Sequence, residues 1–130
     1  MIHGIGIDLV ENDRIEKVIR KWGCKFLSRV FCDREVEYCA KHVHNAPHYA
    51  ARFAAKESFL KALGMGLGMG VKMKDIEVTR GGDGKPEIVV HDGAKNQIDK
   101  NKITRIHLSL THTENYAAAF LVLEKEKELY

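Results

Sequence analysis

Residues 47–63 read PHYAARFAAKESFLKAL and form the stretch of this sequence with the clearest helical character. Alanines and larger apolar residues dominate it, and alanine has the highest helix propensity. Pro47 stands where the first turn of a helix tolerates proline, and Gly64 stands where helices commonly end. The stretch therefore predicts a long central helix, against which the remaining elements pack.

Alternation with period two predicts strands before and after this helix. In residues 2–10, Ile5, Ile7 and Leu9 alternate with small or polar residues, which indicates a half-buried strand with Asp8 on its other face. Residues 106–110 and 117–123, separated by a polar break, predict two antiparallel strands. Residues 75–80 and 86–91, joined across the glycine-rich residues 81–84, predict a hairpin.

Shorter helices complete the predicted order of elements. The spacing of Ile15, Val18, Ile19 and Trp22 predicts an amphipathic helix that Asn12 or Asp13 caps and Gly23 ends. Further short helices are predicted over residues 26–31, over residues 33–40 and after Asp92. The order favours one α+β domain over residues 1–130, with a mainly antiparallel sheet packed against the central helix and the shorter helices.

Composition excludes several classes of protein. The chain has 130 residues, 45% hydrophobic and 30% charged, which suits one globular domain and excludes disorder. No apolar run is long enough to cross a bilayer, so no membrane association is expected. Cys24, Cys32 and Cys39 are odd in number and lack zinc-site spacing, so we expect reduced thiols in a cytoplasmic protein.

The net charge of +3 is concentrated near the N-terminus. Six basic residues fall between positions 14 and 29 with Glu16 as their opposing charge: Arg14, Lys17, Arg20, Lys21, Lys25 and Arg29. A solvated helix face and a surface for an acidic partner are both compatible with this run. Nucleic-acid binding ranks last among the functions considered, because neither an RNA-stacking motif nor a zinc motif accompanies the basic residues.

Asp8, Glu57 and Lys61 are candidates for a phosphate-handling metal site. Taken singly, Asp8 can be a surface acid beside a strand end, and Glu57 with Lys61 can be a simple i,i+4 salt bridge. If the two carboxylates converge, they suit Mg²⁺, which binds one or two carboxylates together with substrate phosphates. Lys61 then lies one helical turn away, within reach of a phosphate oxygen.

Two further features are compatible with either a binding role or a structural one. Residues 64–70, GMGLGMG, predict a loop that fits neither the Walker nor the dinucleotide pattern, and a flexible connector is one interpretation. His112, at the predicted strand end, is either a solvated histidine or a phosphate contact and proton carrier.

Taken together and in order, these motifs resemble one family. They are residues 4–11 (GIGIDLVE), Arg14-Ile15, residues 52–57 (RFAAKE) with Lys61, Gly84-Lys85-Pro86, residues 108–112 (LSLTH) and residues 116–119 (YAAA). The set resembles the holo-acyl-carrier-protein synthases, the small bacterial phosphopantetheinyl transferases. Met65 and Thr111 depart from the family, which often has threonine and serine at these positions.

The resemblance implies the activity and the site residues. It implies Mg²⁺-dependent transfer of phosphopantetheine from coenzyme A to a serine of an acyl carrier protein. Asp8 and Glu57 would bind Mg²⁺ and act with Lys61 in catalysis. The implied coenzyme A contacts are Lys61, His112, Arg52, Gly64, Lys85 and Pro86.

The resemblance also implies partners. The chain would form a homotrimer with sites between subunits, and Gly84-Lys85-Pro86 would line the adenine end of a neighbour's site. The first helix, through Arg14, Lys17, Arg20 and Lys21, would bind an acidic helix of the carrier protein. A non-catalytic module that binds coenzyme A or a nucleotide is the alternative function.

Overall fold

The computed structural model describes residues 1–65 and 69–127. The elements in chain order are β1 (Ile2–Glu11), α1 (Asn12–Trp22), α2 (Cys24–Val30), α3 (Asp33–Ala40), α4 (Ala46–Leu63), a short 3₁₀ turn (Met73–Asp75), β2 (Ile76–Arg80), β3 (Pro86–Val90), α5 (Asp92–Lys100), β4 (Ile103–His112) and β5 (Tyr116–Lys125). The predicted α+β class is confirmed. The glycine-rich loop predicted over residues 64–70 lies partly outside the described residues.

The described strands form two antiparallel sheets. One has three strands in the order β1-β5-β4, and the other is the hairpin of β2 and β3. The hairpin pairs Arg80 with Pro86, and Gly84 in the turn has a φ of 82°. Glycine adopts this left-handed backbone at little cost, which explains why the turn forms here. The predicted hairpin and the predicted β4–β5 pair are both confirmed.

Helix α4 is the centre of the fold. It packs against β1 and β5 most extensively and also contacts α1, β2 and β4. Because it is covered on several sides, it is alanine-rich and buried around most of its circumference. It ends at Gly64, whose φ of 74° is left-handed and whose N–H bonds to the carbonyls of Leu60 and Lys61.

Two glycines set the distance between β1 and α4. A Cβ atom on Gly4 would lie 1.8 Å from the carbonyl oxygen of Ala62, and one on Gly6 would lie 1.8 Å from that of Ser58. The hydroxyl of Ser58 donates to the carbonyl of Ala119 on β5 at 3.2 Å. The helix backbone therefore lies directly on β1, which brings the middle of β1 beside the C-terminal half of α4.

The other face of the three-stranded sheet is apolar and uncovered in the single chain. Ile5, Ile7 and Leu9 are 53%, 63% and 66% exposed, so the alternation of β1 is confirmed but its larger apolar residues face away from α4. Ile7 is paired across the ladder with Phe120, which is also exposed. The buried face of β1 is instead the glycine face.

Buried residues from α1 to α5 and from β1, β2, β4 and β5 form a hydrophobic cluster, with Ile88 and Val90 of β3 packed against it. Met65, the residue that departs from the family pattern, is partly buried against the same cluster. Among the described residues, no helix combines the length and the apolar character needed to cross a membrane.

Candidate active site

Asp8 and Lys61 meet at the contact between β1 and α4. Lys61 Nζ lies 3.0 Å from Asp8 Oδ1 and donates to the carbonyl of Ile7 at 2.9 Å. The Asp8 side chain is only 16% exposed, because it points from the glycine face of β1 towards α4. From sequence spacing, Glu57 is a candidate salt-bridge partner of Lys61, whereas the structure pairs Lys61 with Asp8.

Glu57 lies one helical turn before Lys61 and completes this cluster. Burial, and then the negative charge of Asp8, raise the pKa of Glu57, and the positive charge of Lys61 partly offsets this increase. The two carboxyl groups thus repel each other across a half-buried space. Such a pair is stabilised by a cation placed between its members.

The carboxylate pair lines a cavity of about 360 Å³ between β1, α1, α2 and α4. Arg14 provides a positive charge in its wall, and Ile15, Val18, Phe26 and Phe53 provide apolar surface. An anionic group attached to an apolar arm would find complementary chemistry here. Asp8, Glu57 and Lys61, predicted as one constellation, are thus brought together.

The donor set fits Mg²⁺ better than a structural metal. Among residues 1–65 and 69–127, no group of three or more His, Cys, Asp or Glu side chains gathers in a metal-binding arrangement. Zn²⁺ in structural sites needs four protein ligands, whereas Mg²⁺ keeps several waters and accepts one or two carboxylates plus substrate phosphates. Two neighbouring carboxylates, Asp8 and Glu57, with only Lys61 paired to Asp8 nearby, suit the second kind of ion.

A second cluster, which we call the cationic pocket, brings together Arg52, His112 and Pro86. The cavity measures about 220 Å³ and is lined also by His48 and Arg80. Among the described residues, none of those that line it is a carboxylate, so its electrostatic character is positive. It therefore suits an anion, and phosphate is the anion that histidine and arginine bind in combination.

Arg52 is the buried hydrogen-bond donor of the cationic pocket. The residue is 5% exposed, and its guanidinium lies 4.3 Å from the ring centroid of Tyr38. Its buried Nε has no hydrogen-bond partner in the part of the chain that the structure describes. A buried N–H without a partner costs free energy that an anionic ligand would recover. His48, Arg80 and Tyr38 were absent from the predicted site, although the i,i+4 spacing of His48 and Arg52 places them on one helix face.

The two clusters lie on different sides of α4. Arg52 and Glu57 are separated by about 140° around a helix of 3.6 residues per turn. Asp8 on β1 and His112 on β4 flank the central strand β5, where they pair with Ala119 and Ala117. One chain thus carries two separate clusters, one beside β1 and one at the end of β4.

The remaining predicted coenzyme contacts, Gly64 and Lys85, line neither cluster. Gly64 is the exposed cap of α4, close in sequence to Lys61. Lys85 is exposed in the β2–β3 turn, where its N–H bonds to Asp83 Oδ1 at 3.0 Å. Their roles stay predictions.

Residues 4–121 match the model of the 4'-phosphopantetheinyl transferase superfamily. The chain belongs to this superfamily. It is 52% identical over 128 residues to the holo-[acyl-carrier-protein] synthase of Syntrophus aciditrophicus, covering 98% of this chain and 100% of that protein. The family recognised from the sequence motifs is confirmed.

Solved structures of superfamily members share the fold. The crystal structure of the holo-[acyl-carrier-protein] synthase from Neisseria meningitidis matches with a TM-score of 0.89 at 34% identity, covering 96% of this chain and 100% of that one. The Helicobacter pylori holo-[acyl-carrier-protein] synthase, solved in complex with coenzyme A, matches with a TM-score of 0.82 at 31% identity, covering 92% and 99%.

In this member of the superfamily, the four basic residues of α1 that were predicted to bind the carrier protein have different neighbours. Arg14 lines the cavity of Asp8 and Glu57, Arg20 is paired with Glu16 at 2.7 Å, and Lys21 lies 5.2 Å from the ring centroid of Trp22. Lys17 is exposed. The basic surface also continues onto α2.

A groove of about 460 Å³ extends this surface between α1 and α2. It is lined by Val18, Trp22, Lys25, Phe26, Arg29 and Val30. Val18 and Phe26 also line the cavity of the carboxylate pair, so groove and cavity adjoin. Trp22, predicted as an apolar contact of α1, is instead 53% exposed.

Proposed function

We propose that this chain transfers the 4'-phosphopantetheine group of coenzyme A to a serine of an apo acyl carrier protein, in a reaction that depends on Mg²⁺. The observation that carries the proposal is the half-buried pair of Asp8 and Glu57 with Lys61 beside it. Two neighbouring carboxylates and one ammonium are a set suited to a pyrophosphate with its divalent cation.

Asp8 and Glu57 would hold the Mg²⁺ ion. When bound, the ion neutralises charge on the pyrophosphate of coenzyme A. Lys61 would bind a phosphate oxygen from the helix side, leaving Asp8 free for the ion. Superfamily members solved with coenzyme A support the assignment of this ligand.

The reaction exchanges the phosphoanhydride bond of coenzyme A for a phosphate ester bond to the carrier protein. The serine oxygen of the carrier attacks the β-phosphorus of coenzyme A, and the bond from this phosphorus to the bridging oxygen breaks. Adenosine 3',5'-bisphosphate leaves, and Glu57 or a water molecule bonded to it accepts the serine proton. Lys61 and Arg14 would position the pyrophosphate and neutralise part of its charge, while Asp8 and Glu57 would hold the Mg²⁺ ion.

The cationic pocket would bind the 3'-phosphate of coenzyme A. This phosphate is chemically separate from the pyrophosphate, as the cationic pocket is separate from the carboxylate pair. Arg52 and His112 would contact it, and Pro86 would flank the adenine, together with Lys85 from the turn.

The active sites would lie between the subunits of a homotrimer. The uncovered sheet face presents Ile5, Ile7, Leu9, Tyr116 and Phe120 to solvent in a single chain, and contiguous apolar surface of this kind commonly marks an interface. A neighbour seated on this face would bring its cationic pocket towards the carboxylate pair. Contacts of this head-to-tail kind close into rings.

The carrier protein would bind along α1 and α2. Its acidic helix would face Arg14, Lys17, Lys25 and Arg29, while apolar side chains enter the groove beside Trp22. Because the groove adjoins the carboxylate cavity, a serine at the end of that helix would reach Glu57. Arg20 and Lys21 would contribute longer-range attraction.

The modified carrier would serve fatty-acid biosynthesis in the cytoplasm. Cys24, Cys32 and Cys39 are free thiols in the structure, which suits a reducing compartment. Cys39 is buried, and burial raises the pKa of its thiol to about 11, so it acts as a packing residue rather than as a nucleophile.

Intact-mass spectrometry tests the activity. An apo acyl carrier protein incubated with the chain and coenzyme A should gain one phosphopantetheine group with Mg²⁺ and none with chelator. Asp8→Asn and Glu57→Gln should each lower the rate by about 100-fold or more, because each removes a carboxylate that would hold the Mg²⁺ ion beside the reacting phosphates. Glu37→Gln, an exposed acid on α3, is the matched control. Full transfer by both site variants would contradict the metal-site assignment.

Complementation tests the placement of the sites. Asp8→Asn and His112→Ala each damage one half-site, so each variant alone should be inactive. Chains of both variants co-expressed in one trimer should regain activity if one site takes its halves from two subunits. Co-assembled but inactive trimers would place both half-sites of each active site within one chain.

A further inference from the structure

His48 lines the cationic pocket together with Arg52, Arg80 and His112. Its ring is stacked on that of His42, with centroids 3.7 Å apart and an angle of 28° between the planes, and its centroid is 6.2 Å from that of His112. The Tyr38 ring lies edge-on at 6.1 Å. The position of His48 is therefore defined by aromatic contacts on several sides.

The neighbours of His48 are bases and cations from every element around it. They are His42 from the segment after α3, Arg52 from α4, Arg80 from β2 and His112 from the end of β4. Within residues 1–65 and 69–127, no carboxylate lines the pocket that they share. An uncharged imidazole is consequently favoured while the pocket lacks an anion.

The entry of an anion into the pocket reverses the direction in which the surroundings shift the protonation of His48. Burial, then the charges of His42, Arg52, His112 and Arg80, lower the pKa of His48 in the ligand-free chain. A phosphate dianion on Arg52 and His112 would act in the opposite direction and favour the imidazolium. A histidine in this situation takes up a proton as the anion binds.

We propose that His48 is a further coenzyme-binding residue of this chain, which becomes protonated as the 3'-phosphate of coenzyme A enters the cationic pocket and then donates a hydrogen bond to it. The inference rests on the proposed function, since it assigns a residue to the same coenzyme. It makes affinity for coenzyme A dependent on pH: affinity increases as pH falls towards the pKa of His48, and decreases as pH rises.

Calorimetry measures the proton directly. Coenzyme A is titrated into the wild-type chain and into His48→Gln at pH 7, in two phosphate-free buffers of different ionisation enthalpy, and the difference in heat gives the protons taken up. The wild type should take up more protons per coenzyme A than His48→Gln. The phosphate of coenzyme A and the side chain of His112 are the same in both titrations. The difference in proton uptake between the two proteins can therefore be assigned to His48.

The affinity for coenzyme A, measured as a function of pH, gives a second test of the role of His48. At pH 6.5, His48→Gln should bind coenzyme A about 10-fold more weakly than the wild type, the size expected for one charge-assisted hydrogen bond. The deficit should shrink towards pH 8.5, where the wild-type imidazole is neutral. With 3'-dephospho-coenzyme A the two proteins should bind alike at every pH.

A second variant covers the case in which His48→Gln disturbs the fold. His42→Phe keeps a ring stacked on His48 and removes the base that opposes its protonation, so the pH dependence of binding should move to higher pH. Equal proton uptake by the wild type and His48→Gln, with an unmoved profile in His42→Phe, would overturn the role of His48. Absence of coenzyme A binding by the wild type would instead overturn the proposed function.

Discussion

Nζ of Lys56 lies 2.7 Å from Oε1 of Glu35, and both side chains are fully buried. The ammonium also donates to the carbonyls of Met73 and Ile76, and the carboxylate accepts from the N–H groups of Cys32 and Val78. This ion pair therefore joins α3, α4, the 3₁₀ turn and β2. It holds the β2–β3 hairpin, which carries Arg80 and Pro86, against the helix that carries Arg52.

We expect Lys56→Met to lower the free energy of unfolding by about 3–5 kcal/mol, because it leaves the buried carboxylate of Glu35 without its cation. Urea denaturation measures the change. Combining Lys56→Met with Glu35→Gln, which removes the unpaired charge, should recover part of the loss. Wild-type stability of Lys56→Met would contradict a structural role for the pair.

We expect Gly6→Ala to separate β1 from α4, since its Cβ would lie 1.8 Å from the carbonyl oxygen of Ser58. Unfolding should occur at lower urea concentration, and coenzyme transfer should fall because Asp8 moves away from Glu57. Gly82→Ala is the matched control, since its Cβ would meet no atom within 4 Å. Equal losses in both variants would show that the close contact is unimportant.

In the metal-free protein, we expect the carboxyl group of Glu57 to titrate above the ordinary range of glutamate, because burial and the charge of Asp8 raise its pKa. Asp8→Asn removes the second cause, so the pKa of Glu57 should fall. Carbon-13 NMR of the side-chain carboxyl groups follows both titrations. An unchanged Glu57 titration in Asp8→Asn would show that the two carboxylates do not interact.

We expect Phe120→Asp to convert the assembled protein into monomers, since it buries a charge in the apolar sheet face. Sedimentation velocity gives the mass, and transfer activity should disappear with the trimer. Val43→Asp, at a loop position that is 94% exposed, is the control and should stay assembled. A wild-type chain that is monomeric at all concentrations would reject the trimer.

We expect Lys25→Glu and Arg29→Glu to raise the KM for the carrier protein about 10-fold at low salt, because electrostatic steering of this size is typical of basic surfaces. The effect should shrink as added salt screens the charges. Lys95→Glu on α5 has the same charge change away from the groove and should leave KM unaltered. An equal rise in KM for Lys25→Glu, Arg29→Glu and Lys95→Glu would show that the effect comes from the net charge of the protein and not from the groove.

The sequence by itself determined the elements of this protein and its family. Helix α4 follows from its alanines and its terminal Gly64, and the strands follow from their alternation, because helix propensity and side-chain period are local properties. The motif around Asp8 and the motif around Glu57 were recognisable for the same reason, as short ordered strings of residues.

Only the tertiary structure decided which of these residues meet. Ile5, Ile7 and Leu9 alternate as residues of a buried face do, yet Gly4 and Gly6 admit α4 to the opposite face, since only a residue without Cβ lets two backbones approach so closely. His48 and Arg52 of α4 meet Arg80 and His112 through the packing of three separate elements, α4, β2 and β4. Local pattern fixes the direction of each side chain relative to its own element, whereas long-range contact fixes its neighbours, and the chemistry of a site depends on the neighbours.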